Sequence, residues 1–267
     1  MSDTLYAARQ YVTVNGHELF GLGLTAAVVS FILRARDLLF ERFAQLESLW
    51  PFLILFVFLF LLSIVAVWVA KIVAARVGYI IQYVPHAHGL VIGAIIAVLS
   101  AGWLPLFLPG GFSFSRPERL RIGKHEGWYK GWEIGLIAAV FPLAFTFFLL
   151  PINALYLLSG SEMYLELIVA TWLVALFACL PVPMIGHRTD TLKDIYDMVK
   201  RLRGCSFGLD VFYASGAWFL ILSAYVLVVG LLAWVLTVAT WPLGIWVYAL
   251  SVVLAFITWW IFGKFFH

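Results

Sequence analysis

The run Leu49–Ala70, "LWPFLILFVFLFLLSIVAVWVA", carries no charged residue over 22 positions. A segment this long and this apolar is what a helix needs to cross the hydrocarbon core of a bilayer. It also restricts the backbone, because polar groups in lipid must be satisfied within the segment itself, which favours helices. The rest of the chain repeats the signal. Of 267 residues, 64% are hydrophobic and only 12% charged, and the mean hydropathy is +1.02. A soluble domain of this size has no interior large enough to hold so much apolar surface. The expected class is therefore an all-α polytopic integral membrane protein, a single membrane domain over residues 1–267 with the lipid bilayer as its solvent.

Hydropathy places spans at about Leu19–Leu39, Leu49 or Pro51 to Val77, Gly131–Leu158, Glu162–Pro183, Ala214–Val238 and Pro242–Gly263. A broken apolar segment covers His88–Leu108, followed by a polar loop, Pro109–Lys130. The polar start "MSDTLYAARQYVTVNGHELF" has no basic region leading into a cleavable apolar segment, so it is not expected to be a signal peptide. The two cysteines form no C-x-x-C pair and no disulfide framework, and a net charge of +3 does not suggest a nucleic-acid partner.

Basic residues orient the spans. Arg116, Arg119, Arg121, Lys124 and Lys130 lie in one loop, and Arg188, Lys193, Lys200, Arg201 and Arg203 in another, while the turn Ser159–Glu162 has none. Both basic loops are expected in the cytoplasm, and Lys264 brings the C-terminus there, as in a cell-membrane protein. The N-terminal half has two solutions. If 88–108 spans, there are seven helices, with Arg34, Arg36 and Arg42 inside and Arg9, Lys71 and Arg76 outside. If it dips in and returns, there are six, and those sets exchange sides. Either way fourteen basic residues lie inside and three outside. Gly89, Gly93, Ala97 and Ala101 form a small-xxx-small line that lets another backbone approach closely. In the loop 184–213, "DTLKDIYDMVKRLRG" has Leu192, Ile195, Met198, Val199 and Leu202 at helical spacing, as in a surface amphipathic helix.

The continuation of the second span is "AVWVAKIVAARVG", Ala66–Gly78. A zinc protease needs H-E-x-x-H on one helical face, two ligands with a general base beside them. In order of segments the chain resembles the site-2 protease family of intramembrane zinc metalloproteases, in the branch without a PDZ domain, whose motif helix runs H-E-x-A-H-K-x-V-A-x-R-x-G. Lys71, Val73, Ala74, Arg76 and Gly78 fall on the accessory positions, but the ligand positions hold Ala66 and Ala70 and the base position Val67. The family's G-P-L-x-N is matched by Phe141-Pro142-Leu143-Ala144-Phe145, with the Gly and Asn lost. Its N-x-x-P-x-P-x-x-D-G is matched by Ala178 through His187, with Ala178 at the Asn position and Gly186 at the metal-binding Asp position. The resemblance favours six spans plus a re-entrant 88–108. It implies a fold without its catalytic residues, a pseudoprotease that needs no cofactor and binds transmembrane helices, a partner subunit or a second copy. Gly89, Gly93, Ala97 and Ala101, with Pro142, Pro181 and Pro183, are the expected substrate-helix or packing groove.

Two alternatives belong beside it. His86 and His88, two apart, would share one face of an extended segment, and with His187 beyond the Pro-x-Pro motif could form a relocated zinc site. A transporter or channel subunit would need charged residues along a path, and the spans carry almost none. Glu133 and Glu166 lie near span ends, where interfacial solvation accounts for them, with Lys130 as an i, i+3 partner for Glu133.

Overall fold

The computed structural model describes residues 12–41, 49–115, 131–182 and 205–236. Within them the chain is mostly helical: α1 (Gly16–Arg36), α2 (Leu49–Val77), α3 (Ala87–Leu99), α4 (Gly131–Ser159), α5 (Glu162–Ala178), α6 (Phe207–Ala214) and α7 (Gly216–Leu236). Among the described residues, four helical stretches are long and apolar enough to cross a membrane: Gly16–Leu39, Leu49–Val77, Gly131–Ser159 and Gly216–Ala233. These support the reading as an integral membrane protein. α5 stops at Ala178, short of the expected Pro183, because the chain turns at Cys179 ahead of Pro181. The expected span 242–263 and the amphipathic segment 190–204 lie outside the described residues.

The expectation of an all-α architecture is incomplete. A small antiparallel sheet of order β1-β2-β3 joins β1 (Ile80–Pro85), β2 (Gly110–Ser115) and β3 (Cys205–Ser206). Part of the segment expected as a polar loop, Pro109–Lys130, is thus a strand. Phe112 and Phe114 alternate with small residues along it, the period of two that a strand imposes. β1 pairs with β2 from Ile80↔Ser115 to Pro85↔Gly110.

That last pair defines the segment 86–109. It leaves the sheet at Pro85 and returns to it at Gly110, so its two ends lie side by side. α3 has 13 residues, about 20 Å at 1.5 Å per residue, against roughly 30 Å of hydrocarbon. It stops where Ala101 (φ 52°) and Gly102 (φ 79°) take left-handed backbone, and the Gly102 amide closes back on the Ala97 carbonyl at 2.7 Å. The chain then runs back along its own helix. A Cβ on Gly93 would collide with the Leu106 carbonyl, and one on Gly89 with Leu108. A Cβ on Gly102 would meet the Arg36 backbone at the end of α1, while Gly21, near its start, meets Pro85. The hairpin therefore lies along about 22 Å of α1, from Gly21 to Arg36.

The two ends of the helix bundle are distinguished by their ions. At one end Arg34 bonds Asp37 and reaches Glu166 of α5, and Arg36 lies over the Trp103 ring at 4.6 Å. The Ser159–Glu162 turn immediately precedes this part of α5. At the other end lie the sheet, Lys71 and Glu133.

Candidate functional site at the sheet end of the helices

Ala66, Val67 and Ala70 fall on the buried stripe of α2, together with Leu59, Leu62, Ser63, Lys71 and Ala74. All three are fully enclosed. Alanine and valine side chains have no lone pair for a metal and no base for a water. Gly186, at the third ligand position of the resemblance, lies outside the described residues.

One position further along α2, Lys71 is only 3% exposed and faces Glu18, 4% exposed, across 53 residues of sequence. Its ammonium lies 2.7 Å from Glu18 Oε2 and donates a second bond to the Thr13 carbonyl at 2.8 Å. Glu18 reaches back to the Asn15 amide at the start of α1 (2.8 Å) and accepts the Tyr83 amide of β1 at 3.0 Å. Every ionic oxygen is thus engaged, the condition for tolerating a buried pair. One carboxylate ties α1, α2 and the outer edge of the sheet together.

The Tyr83 hydroxyl lies deeper, donating to the Pro109 carbonyl at 2.5 Å and sitting 2.9 Å from the Thr25 hydroxyl. This satisfies a carbonyl where the hairpin rejoins the sheet. A small cavity beneath is bounded by Thr25, Leu59, Ser63, Pro109, Phe141 and Val174. On the sheet side the interior is filled with rings. Phe141 stacks on Phe207 with centroids 4.2 Å apart, Phe112 meets Phe207 edge-on at 4.8 Å, and Phe145 lies 5.0 Å from Phe141. Phe112, Phe141, Phe145 and Phe207 are all at most 1% exposed.

Phe207 reaches this cluster because α6 is anchored beside the end of α5. The Ser206 hydroxyl donates to the Leu180 carbonyl (2.9 Å) and accepts the Val182 and Leu209 amides at 3.1 and 3.3 Å. Ser206 therefore lies next to Leu180 and Val182, and Phe207 is the first helical residue at that place.

The expected groove residues are dispersed. Gly89 and Gly93 are covered by the hairpin's own return segment, Ala97 is buried, and Ala101 forms the turn. Pro142 is buried inside α4, Pro181 is exposed, and Pro183 lies outside the described residues. The small-xxx-small line does admit a close backbone, and the occupant is the chain itself.

His86 and His88 do not form the extended pair the sequence suggested. His86 caps α3 with Nδ1 accepting the Gly89 amide at 2.9 Å, while His88 lies in the first turn and is exposed. Residues two apart on a helix point to different faces. With Nδ1 an acceptor, the neutral ring carries its proton on Nε2, so a metal there would have to displace that proton and break the cap. His187 lies outside the described residues. Among the described residues no group of three His, Cys, Asp or Glu side chains converges to hold a metal. Glu133 accepts the Tyr79 hydroxyl at 2.6 Å, and Glu166 takes Arg34. Both partners come from elements remote in sequence, so inspection of the neighbouring residues could not find them.

No known protein family, no curated protein and no solved structure matches the chain.

Proposed function

We propose that the protein is a non-catalytic site-2-protease-like membrane protein that holds transmembrane helices or a partner subunit. The observation that carries the reading is what occupies the positions of the resemblance. The two ligand positions and the base position are Ala66, Ala70 and Val67, all buried. The lost Gly and Asn of the proline motif are Phe141 and Phe145, whose rings fill the interior together with Phe207. In space, Phe207 follows Ser206, which is bonded to Leu180 and Val182 just beyond α5. Among the described residues these rings fill the sheet side of the interior, leaving only a small cavity beneath, so holding takes place on the lipid-facing exterior. On α2 that exterior is the exposed stripe Trp50, Leu53, Val57, Leu61, Val65 and Trp68, at the i, i+3, i+4 spacing of a helix-packing face. Fold-level likeness alone does not assign activity, so the test is chemical. Elemental mass spectrometry of the detergent-purified protein is expected to find no stoichiometric zinc. A photocrosslinking side chain at Leu61 is expected to give a discrete adduct in membranes. About one zinc per chain, lost on combining His86→Ala with His187→Ala, would overturn the reading in favour of the relocated metal site.

The same reading gives six spans with a re-entrant hairpin. The Arg34–Glu166 pair supports it, since it brings the end of α1 level with the beginning of α5, the side opposite the basic loops. Arg34 and Arg36 then lie outside, and Lys71, Arg76 and the sheet lie on the cytoplasmic side. In intact cells a membrane-impermeant thiol reagent is expected to label Ser159→Cys and to spare Gly16→Cys until the membrane is opened. Labelling of Gly16→Cys in sealed cells would restore the seven-span alternative.

A further inference from the structure

α6 contains an ionisable group that its packing does not need. Phe207, Gly208, Leu209, Asp210 and Val211 are buried in succession. The helix is wedged: a Cβ on Gly208 would collide with the Cys179 carbonyl, and one on Gly135 of α4 with Ala214. Inside this contact Asp210 is 8% exposed, and among the described residues its Oδ2 has no hydrogen-bond partner. A carboxylate without a partner at such a site is costly, whereas its neutral form is tolerated. An alanine would fit the same space with no such cost.

The ionisable groups on the described elements packed against α6 are few. α4 offers Glu133, already engaged by the Tyr79 hydroxyl, and Tyr156 towards its far end, α7 offers Tyr225, β3 offers Cys205, and Cys179 follows α5. β2 has none, α6 itself adds Tyr213, and none of α4, α5, α7 or β2 carries a Lys or Arg. No cation from these elements holds Asp210 ionised. Burial accordingly pushes its carboxyl well above the usual carboxylate range.

We propose that Asp210 makes the seating of α6 pH-sensitive: the neutral carboxyl seats the helix on α4, and ionisation loosens it together with the Val182 turn tied to Ser206. This is independent of the function proposed above. Freed from its site, Asp210 titrates in the ordinary aspartate range, while the seated form keeps its proton to higher pH. Seating is therefore strongest below that ordinary range. It weakens as pH rises towards the seated value, by up to about tenfold per pH unit, and levels off beyond it.

The test is amide hydrogen exchange of residues 207–214 in the full-length protein in nanodiscs, from about pH 4 to about pH 9, corrected for the intrinsic rate. In the wild type, protection is expected to fall as pH rises, by up to about tenfold per unit within the window. Asp210→Asn is expected to abolish the slope, with Asp210→Ser as a second variant should the amide not accumulate. Glu133→Gln is expected to retain it. A flat wild-type profile, a slope that survives both Asp210 variants, or one removed by Glu133→Gln would overturn the proposal.

Discussion

Replacing Lys71 with methionine is expected to destabilise the protein by about 3–5 kcal/mol, the cost of stripping one partner from a buried ion pair. The loss comes chiefly from the Glu18 carboxylate left behind. That carboxylate is 4% exposed and keeps only the Asn15 and Tyr83 amides when the ammonium is gone. The Thr13 carbonyl loses the Lys71 ammonium as well. Adding Glu18→Gln to Lys71→Met is expected to recover much of the loss, because a neutral amide can still accept the Tyr83 amide while no charge is stranded. Thermal unfolding of the two variants in detergent decides the matter. Equal instability of the single and double variants would show that the charge is not what Lys71 satisfies, and that the packing of its stem matters more.

The second large effect is expected at Phe207. Phe207→Ala removes a ring that meets Phe141 at 4.2 Å and Phe112 at 4.8 Å from a site with no exposure. Such truncations cost about 3–5 kcal/mol, the transfer of the ring plus the void left behind. Because Phe207 is the contact by which α6 enters the interior, the loss should reach the sheet too. Protection of the β1–β2 amides in hydrogen exchange should fall along with the melting temperature. Phe207→Leu keeps most of the volume and should cost far less. A melting temperature unmoved by Phe207→Ala would mean that α6 does not seat in the interior.

The long helices were legible because length and apolarity alone fix them. Leu49–Val77 and Gly131–Ser159 follow directly from hydropathy. The sheet was harder to see, since its strands are two to six residues long and separated by spans and loops. The period-two pattern of Gly110–Ser115 was present, and so were the apolar β-formers Ile80, Ile81, Tyr83 and Val84, but neither has a neighbour in sequence to pair with. At the candidate site, the sequence reveals that Ala66, Val67, Ala70, Phe141 and Phe145 stand at altered positions of the resemblance. It cannot tell what takes up the space, because Phe207 arrives from beyond the intervening loop. The Glu18–Lys71 and Arg34–Glu166 pairs were invisible for the same reason. Each joins residues whose proximity only the packing of separate helices creates.

The closure of the hairpin between Pro85 and Gly110 also bears on the order of assembly. On the six-span reading proposed above, a 13-residue helix of about 20 Å is too short to insert as a span of its own. The extended return exposes backbone that lipid cannot solvate. Its cover comes from α1 and from the Tyr83 hydroxyl on Pro109. α1 and α2 precede it in the chain and can insert independently as apolar helices. The hairpin must wait until β2 has been synthesised and has found β1. On that reading residues 86–109 would be a late folding unit installed against a finished helix pair, and errors in biogenesis should accumulate there first.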